Sequence, residues 1–247
     1  MPPLGRPAFI IPKNTKKSRD KIQIKAKKNT IQGKIEQALS RILGEPIEIS
    51  GSGRTDAGAH ATGQVANFHG KTELSAEEIM EYMNRYLPED IGIYSCKECS
   101  PRFHARLNAK EKTYIYRIWN SDIPCVFERR FVALMPESLN LRDMQYAARQ
   151  LLGEHDFSAF CGNPQFKKST VRFLRDIQIS RHGEEVVLEF TGNGFLHNMV
   201  RILTGTLVEV GRGIRAADSM DQLFGAKRSQ AGFLAPAQGL CLKEVYY

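Results

Sequence analysis

The chain has 247 residues, of which 42% are hydrophobic and 25% are charged, as is usual for a globular protein. No apolar run reaches the roughly 18 residues of a membrane-spanning helix, and no signal-peptide pattern is found near the N-terminus. Five cysteines, an odd number, argue against a disulfide framework. The sequence is therefore not expected to belong to a membrane, secreted or fibrous protein, and a cytoplasmic protein is expected.

The net charge of +8 is concentrated at one end of the chain. Residues 1–28 carry nine bases and one acid, whereas bases and acids balance over the rest. Such a segment is typical either of a solvated tail or of an arm that binds nucleic acid. The composition alone does not decide between these two interpretations. Ile22 and Ile24 indicate one short strand within it.

Helices and short strands alternate in the first half of the chain. Apolar residues at helical spacing predict a helix over 30–44, ending at a glycine. Ser75 and Glu78 have the spacing of a capping box and predict a second helix that runs to about residue 86. The glycine-rich stretch 51–58 is predicted to be a loop. Strands are predicted at 47–49, 64–68 and 91–94.

The second half has the same mixture of elements. Helices are predicted over 140–153 and 195–210, the latter being the most apolar segment of the chain. Strands are predicted at 113–119, 176–180, 185–190 and 240–246. The pair that flanks His182 and Gly183 indicates a β-hairpin, and such connections suit antiparallel pairing. The sequence therefore predicts an α+β fold rather than a parallel doubly wound sheet.

The most informative stretch is 51–60, which reads Gly-Ser-Gly-Arg-Thr-Asp-Ala-Gly-Ala-His. It matches neither the dinucleotide fingerprint nor the phosphate-binding P-loop. It does place Arg54 and Asp56 two residues apart in a flexible frame, and an ionised carboxylate can serve as a nucleophile or a base. Alternatively, Asp56 caps a turn and Arg54 is a surface charge, and the spacing alone does not decide.

Other candidate features are weaker. Basic and aromatic residues interleave at 102–106, 110–117, 166–168 and 172–175, as in surfaces that contact phosphates and stack bases, although solvated strand faces have the same pattern. Arg201 lies within the most apolar helix, where it either pairs with a buried carboxylate or extends to solvent. The Cys-x-x-Cys at 96–99 has no second pair, so no metal site is expected.

Taken together, several motifs identify a known family. The chain resembles the tRNA pseudouridine synthase A (TruA) family, from about residue 29 to the C-terminus. The Gly-Arg-Thr-Asp block is the most specific of the motifs, which occur in family order. They lie at 30–33, 53–65, 103–106, 112–118, 153–157, 195–201, 210–213 and 235–240.

The resemblance implies an isomerase that converts uridine to pseudouridine in tRNA, at positions 38 to 40 of the anticodon stem-loop. It implies a two-lobed pseudouridine synthase fold, with a mostly antiparallel central sheet flanked by helices and a basic cleft. It also implies a homodimer that needs no cofactor. The expected divisions are a basic arm at 1–28 with a divergent first strand, a catalytic lobe at 29–110 and a C-terminal lobe at 111–247.

The resemblance also implies roles for individual residues. Asp56 is the expected catalytic residue, and Arg201 is expected to pair with its carboxylate. Tyr114 is expected to contact the target base, and Arg54 to help open the RNA stack. Two further residues of the matching motifs are expected to bind substrate: His60 and Lys112.

One difference from the family lies at the N-terminus. The usual Tyr-Asp-Gly and Gly-Trp-Gln are missing, since the only tryptophan is Trp119, and a lysine-rich segment stands in their place. Residues 22–25 are expected to be what remains of the first strand. Two other hypotheses are a catalytically silent RNA-binding paralogue and a synthase that acts on another tRNA position or another RNA.

Overall fold

The structure, a computed structural model, describes residues 8–12, 30–163 and 165–247. Within these residues the chain forms four α-helices and eleven β-strands. The helices are α1 Ile31–Leu43, α2 Ala76–Tyr86, α3 Leu141–Gln150 and α4 Met199–Gly211. The strands are β1 Ala8–Pro12, β2 Ile49–Gly51, β3 His60–Ala61, β4 Ala66–Phe68, β5 Ser95–Cys99, β6 Glu111–Trp119, β7 Ala133–Leu134, β8 Gly153–Asp156, β9 Val171–His182, β10 Glu185–Gly192 and β11 Leu240–Tyr246. No helix among the described residues is long and apolar enough to cross a membrane.

The chain divides into two compact units. The first contains the described residues up to Arg54 together with Thr62–Ala109, and the second contains Thr55–Ala61 and Lys110–Tyr247. The short segment Thr55–Ala61 thus belongs to a different unit from the residues on either side of it.

The first unit contains a four-stranded sheet in the order β2-β4-β1-β5. Strand β1 pairs in parallel with both β4 and β5, and β2 is antiparallel to β4. This strand, Ala8–Pro12, lies within the segment that the sequence analysis treats as a basic arm, where only 22–25 was expected to be extended. Residues 22–25 lie outside the described residues.

The two helices of the first unit begin as the sequence predicts. The Thr30 hydroxyl accepts a hydrogen bond from the Gly33 N–H (3.1 Å) at the start of α1, and Gly44 ends this helix with φ of 66°. The reciprocal capping box of Ser75 and Glu78 is confirmed at the start of α2. Both helices contribute to a core that includes the fully buried Leu39, Phe68 and Ile79.

The predicted strand at 91–94 is wrong, because the strand here is β5, Ser95–Cys99. The Asn84 side chain forms hydrogen bonds with both backbone groups of Ile93. It donates to the carbonyl and accepts from the N–H, at 2.7 Å each. Those backbone groups are therefore satisfied by an amide side chain, as buried polar groups require. Pairing with β1 begins one residue after Tyr94, at Ser95.

The second unit is built on a seven-stranded sheet. Its strand order is β3-β11-β6-β10-β9-β8, with β7 paired to β6. The central pairs are antiparallel, whereas β3–β11 and β6–β7 are parallel. The predicted hairpin is confirmed as β9–β10, and Gly183 turns it with φ of 60°. The predicted α+β class is therefore confirmed.

Helix α4 runs through the core of the second unit, and nearly all of its residues are buried. The prediction that it starts at residue 195 is wrong, since its first residue is Met199. Asn198, just before it, has φ of 61°, a left-handed conformation that cannot continue a right-handed helix backwards. Residues 195–198 therefore form a turn that leads into the helix.

Segment 231–236 runs along α4 toward the N-terminal end of the helix. The Gly232 N–H donates to the Thr206 hydroxyl oxygen (2.9 Å), and the Ala235 N–H donates to the Arg201 carbonyl (3.3 Å). These two hydrogen bonds hold the main chain of segment 231–236 against helix α4.

The close approach of this segment requires glycine at position 205. A Cβ placed on Gly205 would lie 1.9 Å from the carbonyl oxygen of Phe233, far inside any allowed contact. We therefore expect Gly205→Ala to lower the free energy of unfolding by at least about 2 kcal/mol, because helix and segment would have to separate. Gly92→Ala is the control, since its nearest neighbour would be Tyr94 Cζ at 3.9 Å. Denaturant titration of both variants measures this, and equal stabilities would refute the close-packing argument.

Candidate active site

Asp56 is positioned by a turn at the edge of the second unit's sheet. Its backbone carbonyl accepts a hydrogen bond from the Ala59 N–H (3.1 Å), and β3 follows directly and pairs with β11. The carboxylate is 29% exposed, so it is partly enclosed and can still be reached from solvent. The glycine-rich stretch thus holds a carboxylate outward, as the catalytic interpretation of this motif requires.

Arg201 is the partner of this carboxylate. Its Nη1 donates to Asp56 Oδ2 at 3.0 Å, although the two residues are 145 positions apart in the chain. The Arg201 side chain is only 13% exposed, and its Nε donates to the carbonyl of Ala235 at 2.7 Å. Of the two sequence interpretations of this arginine, pairing with a carboxylate is therefore the one observed, although the carboxylate is only partly buried.

The turn before α4 supplies two more polar contacts. Asn198 Oδ1 accepts a hydrogen bond from Arg201 Nη1 at 3.2 Å, and the backbone of Asn198 is left-handed. His197 Nε2 lies 3.6 Å from Asp56 Oδ1, and the imidazole is 54% exposed. Each carboxylate oxygen therefore faces a nitrogen-bearing side chain, with the fixed Arg201 at Oδ2 and the more accessible His197 at Oδ1.

Tyr114 supplies the aromatic surface of the site. It lies on β6, and its ring meets the ring of Phe195 edge-on with 5.0 Å between centroids. Burial, and to a smaller extent the carboxylate of Asp56, raise the pKa of Tyr114 to about 12. The phenol therefore stays protonated through the neutral range and can donate a hydrogen bond.

The raised pKa of Tyr114 predicts a loss of stability in alkali. The Tyr114 hydroxyl loses its proton near pH 10 in the unfolded chain and only near pH 12 in the folded protein. The stabilisation that the protonated Tyr114 gives to the folded state is therefore complete below about pH 10 and is lost as the pH rises through 12. Between about pH 8 and about pH 11 the wild type should lose about 1 kcal/mol more unfolding free energy than Tyr114→Phe. Denaturant titrations of both proteins at the two pH values measure the difference, and identical losses would contradict the shift.

The other expected site residues are placed differently. His60 Nε2 donates to the carbonyl of Arg130 (2.7 Å), and its ring lies 4.8 Å from that of Phe131, contacts that tie the Asp56 segment to a neighbouring loop. Lys112 lies on β6 two residues before Tyr114, and so on the same face of the strand. Arg54 is exposed and belongs to the first unit. The structure brings together Asp56, Arg201 and Tyr114.

Four contributors to the site have no role in the sequence-based expectations. Phe195, His197 and Asn198 lie in the stretch 195–201, where the family resemblance implies a role only for the arginine. The fourth is the carbonyl of Ala235, a main-chain atom, which no residue type could have revealed.

The chain is similar to proteins of one family along most of its length. A family model described as tRNA pseudouridine synthase matches residues 16–108 and 147–247. A relative from Bacillus cereus, named tRNA pseudouridine synthase A 2, is 45% identical over 220 residues, which are 89% of this chain and 90% of the relative. Relatives from Clostridium tetani, named tRNA pseudouridine synthase A 1, and from Acetivibrio thermocellus, named tRNA pseudouridine synthase A, are 44% and 43% identical, each over 219 residues, 88% of this chain and 89% and 90% of the relatives.

Proposed function

The chain belongs to the tRNA pseudouridine synthase family, a family of isomerases, and we propose that it converts uridine to pseudouridine in tRNA with Asp56 as the catalytic residue. Its proposed targets are positions 38 to 40 of the anticodon stem-loop, as the family resemblance implies. The observation that carries the proposal is the ion pair between Asp56 and the buried Arg201, beside the Tyr114 ring.

The reaction needs a carboxylate that is fixed in place and still accessible. The bond between C1′ of the ribose and N1 of uracil breaks, the base turns, and C5 is joined to C1′; C5 then loses its proton and N1 takes one up, so that substrate and product are isomers. Asp56 either attacks C1′ or removes a proton from C2′, and both routes use an ionised carboxylate oxygen. Because Arg201 holds Oδ2, we assign the reacting role to Oδ1, which faces the more exposed His197.

The aromatic side of the site suits the detached base. In this proposal the Tyr114 ring holds the uracil by stacking while it turns, and the protonated phenol donates a hydrogen bond. The same hydroxyl is available to relay the C5 proton. Turning the target uridine out of its stack costs a few kcal/mol, and the basic residues Arg54 and Lys112 are proposed to offset part of this.

The proposal extends to partners. We propose tRNA as the substrate, a homodimer as the active assembly, the cytoplasm as the location and no organic cofactor, since no redox step or group transfer to an acceptor takes place. His60 is retained as a proposed substrate-binding residue, although its described contacts are with Arg130 and Phe131.

Mapping the product on unmodified tRNA transcripts tests this function. The protein is incubated with a transcript that has uridines at positions 38 to 40, and pseudouridines are located by carbodiimide treatment followed by primer extension. We expect new stops only in this region, and none in a matched transcript with cytidines there. Stops elsewhere would move the target to another position. Binding without any stop would support the silent RNA-binding paralogue instead.

A further inference from the structure

Arg172 lies across the backbone of the segment that leads into α4. A Cβ placed on Gly194 would be 3.7 Å from both Cδ and Nε of Arg172. The two segments are also joined by hydrogen bonds between Phe173 and Asn193, one to a carbonyl (3.0 Å) and one to the Asn193 side chain (3.1 Å). Since Gly194 directly precedes Phe195, which contacts the Tyr114 ring, Arg172 lies close to the candidate active site.

The charge of Arg172 has no anionic partner in the part of the chain that the structure describes. Its Nη1 donates to the carbonyls of Ser169 (2.9 Å) and Val171 (2.6 Å), and no carboxylate lies within 4.0 Å. Burial lowers the pKa of Arg172, and the neighbouring Cys161 opposes that shift to a smaller extent. Two other half-buried arginines of this unit, Arg117 and Arg215, have glutamate partners, whereas the described hydrogen bonds of Arg228, like those of Arg172, go to carbonyls. A desolvated cation without an anion is costly, so an anionic ligand would stabilise it.

The guanidinium is oriented for such a ligand. Both carbonyl bonds are made by Nη1, and no described residue accepts a hydrogen bond from Nε or Nη2. These two nitrogens form one edge of the planar group, the edge that binds two oxygens of a phosphate at once. The carbonyls of Ser169 and Val171 therefore hold the guanidinium through Nη1, and its Nε–Nη2 edge has no acceptor among the described residues.

The neighbouring sequence favours an anion of high charge density. Residues 165–173 contain three bases, Lys167, Lys168 and Arg172, and no acid. Both lysines are exposed, and Phe173 is 38% exposed. Clustered cations suit a nucleic-acid backbone, whose phosphates they neutralise.

We propose that Arg172 binds a backbone phosphate of the RNA substrate, within a nucleotide or two of the uridine that enters the Asp56 site. This proposal rests on the proposed function for the identity of the RNA. In it, Arg172 contributes affinity and holds the strand beside Gly194, while the lysines at 167 and 168 add charge that does not depend on sequence.

The test measures binding of unmodified tRNA over a range of salt concentrations. We expect Arg172→Gln to raise Kd about 10-fold, as for a lost hydrogen bond to a charged group. The slope of log Kd against log salt should fall by about one, as for one lost phosphate contact. Arg172→Lys should keep the slope and recover only part of the affinity, since it retains the charge without the bidentate edge.

Arg142→Gln is the matched control. It removes the same charge from an exposed residue of α3. The start of α3 lies at the other end of α4, where the Asn140 N–H donates a hydrogen bond to the Gly211 carbonyl. The 13 residues of α4 separate the two ends by roughly 20 Å. The control should therefore bind tRNA with the wild-type Kd and slope.

Several results would overturn the proposal. A folded Arg172→Gln variant with the wild-type Kd and slope would do so, as would an equal loss in Arg142→Gln. Binding of inorganic phosphate that depends on Arg172, without any effect of the variant on tRNA, would assign the site to a free anion. If wild type binds tRNA without forming pseudouridine, the proposed function fails while the binding comparison still decides the role of Arg172. A wild type that does not bind tRNA contradicts both.

Discussion

Replacing Asp56 by asparagine is expected to lower the rate of pseudouridine formation by at least about 10⁴-fold. The amide keeps the shape of the side chain and can still accept a hydrogen bond from Arg201, but it cannot act as a nucleophile or a base. The Kd for tRNA should change by less than about threefold. Phosphates are bound by positively charged side chains, and Asp56 is negatively charged, so removing its charge removes no phosphate contact. Single-turnover assays and filter binding with the same transcript give the two values.

Asp218→Asn provides the control for this experiment. It makes the same change of charge at an exposed position in the same unit and should leave both rate and affinity unchanged. Turnover of Asp56→Asn at more than a hundredth of the wild-type rate would remove Asp56 from the catalytic role, whatever its effect on binding.

Replacing Arg201 by glutamine is expected to affect both catalysis and stability. The variant loses the charge at Asp56 Oδ2 and the bond to the Ala235 carbonyl, so the carboxylate is no longer held. We expect the rate to fall about 10² to 10³-fold, which is typical of lost electrostatic support. The free energy of unfolding should fall by about 2 to 3 kcal/mol, less than for a fully buried pair because Asp56 is 29% exposed.

Arg212, at the C-terminal end of the same helix, offers a direct comparison. It forms a more exposed ion pair with Glu137 (3.0 Å), so Arg212→Gln should cost less than about 1 kcal/mol and leave the rate unchanged. Arg201→Lys should recover part of the rate, since it restores a cation without the bond from Nε. An Arg201→Gln variant that is as stable and as active as Arg212→Gln would show that the ion pair is incidental.

Much of the fold follows from local signals in the sequence. The caps at Thr30 and Ser75, the glycine stop at Gly44 and the hairpin turn at Gly183 each act within a few residues, so the pattern predicts them directly. The alternation over β6 likewise predicts a strand with Tyr116 and Ile118 buried.

The elements that were missed depend on partners far away in the chain. Strand β1 is a short apolar run followed by a lysine-rich stretch that begins at Lys13, and it is extended because β4 and β5 pair with it on both sides. The helical pattern in the sequence begins at residue 195, four residues before α4 does, because the pattern at 195–198 continues into the helix without a break. The left-handed conformation of Asn198 prevents the helix from starting earlier, and the amino-acid composition of this stretch does not reveal that conformation.

The candidate site shows the same division. The motif at 53–56 pointed to Asp56, but spacing alone left Arg201 with two interpretations. Only the fold brings these residues, 145 positions apart, within 3.0 Å. The carbonyl of Ala235 could not be predicted from any side chain, because the site uses its main chain.

The most direct test of the account is tritium release from tRNA labelled at C5 of uridine, measured for wild type and Asp56→Ala together. Joining C5 to C1′ expels that hydrogen, so the signal reports the proposed chemistry itself. The wild type should release tritium and the variant should release none, while both proteins bind tRNA. Release by both would contradict the role of Asp56, and release by neither would contradict the isomerase reaction proposed for this chain.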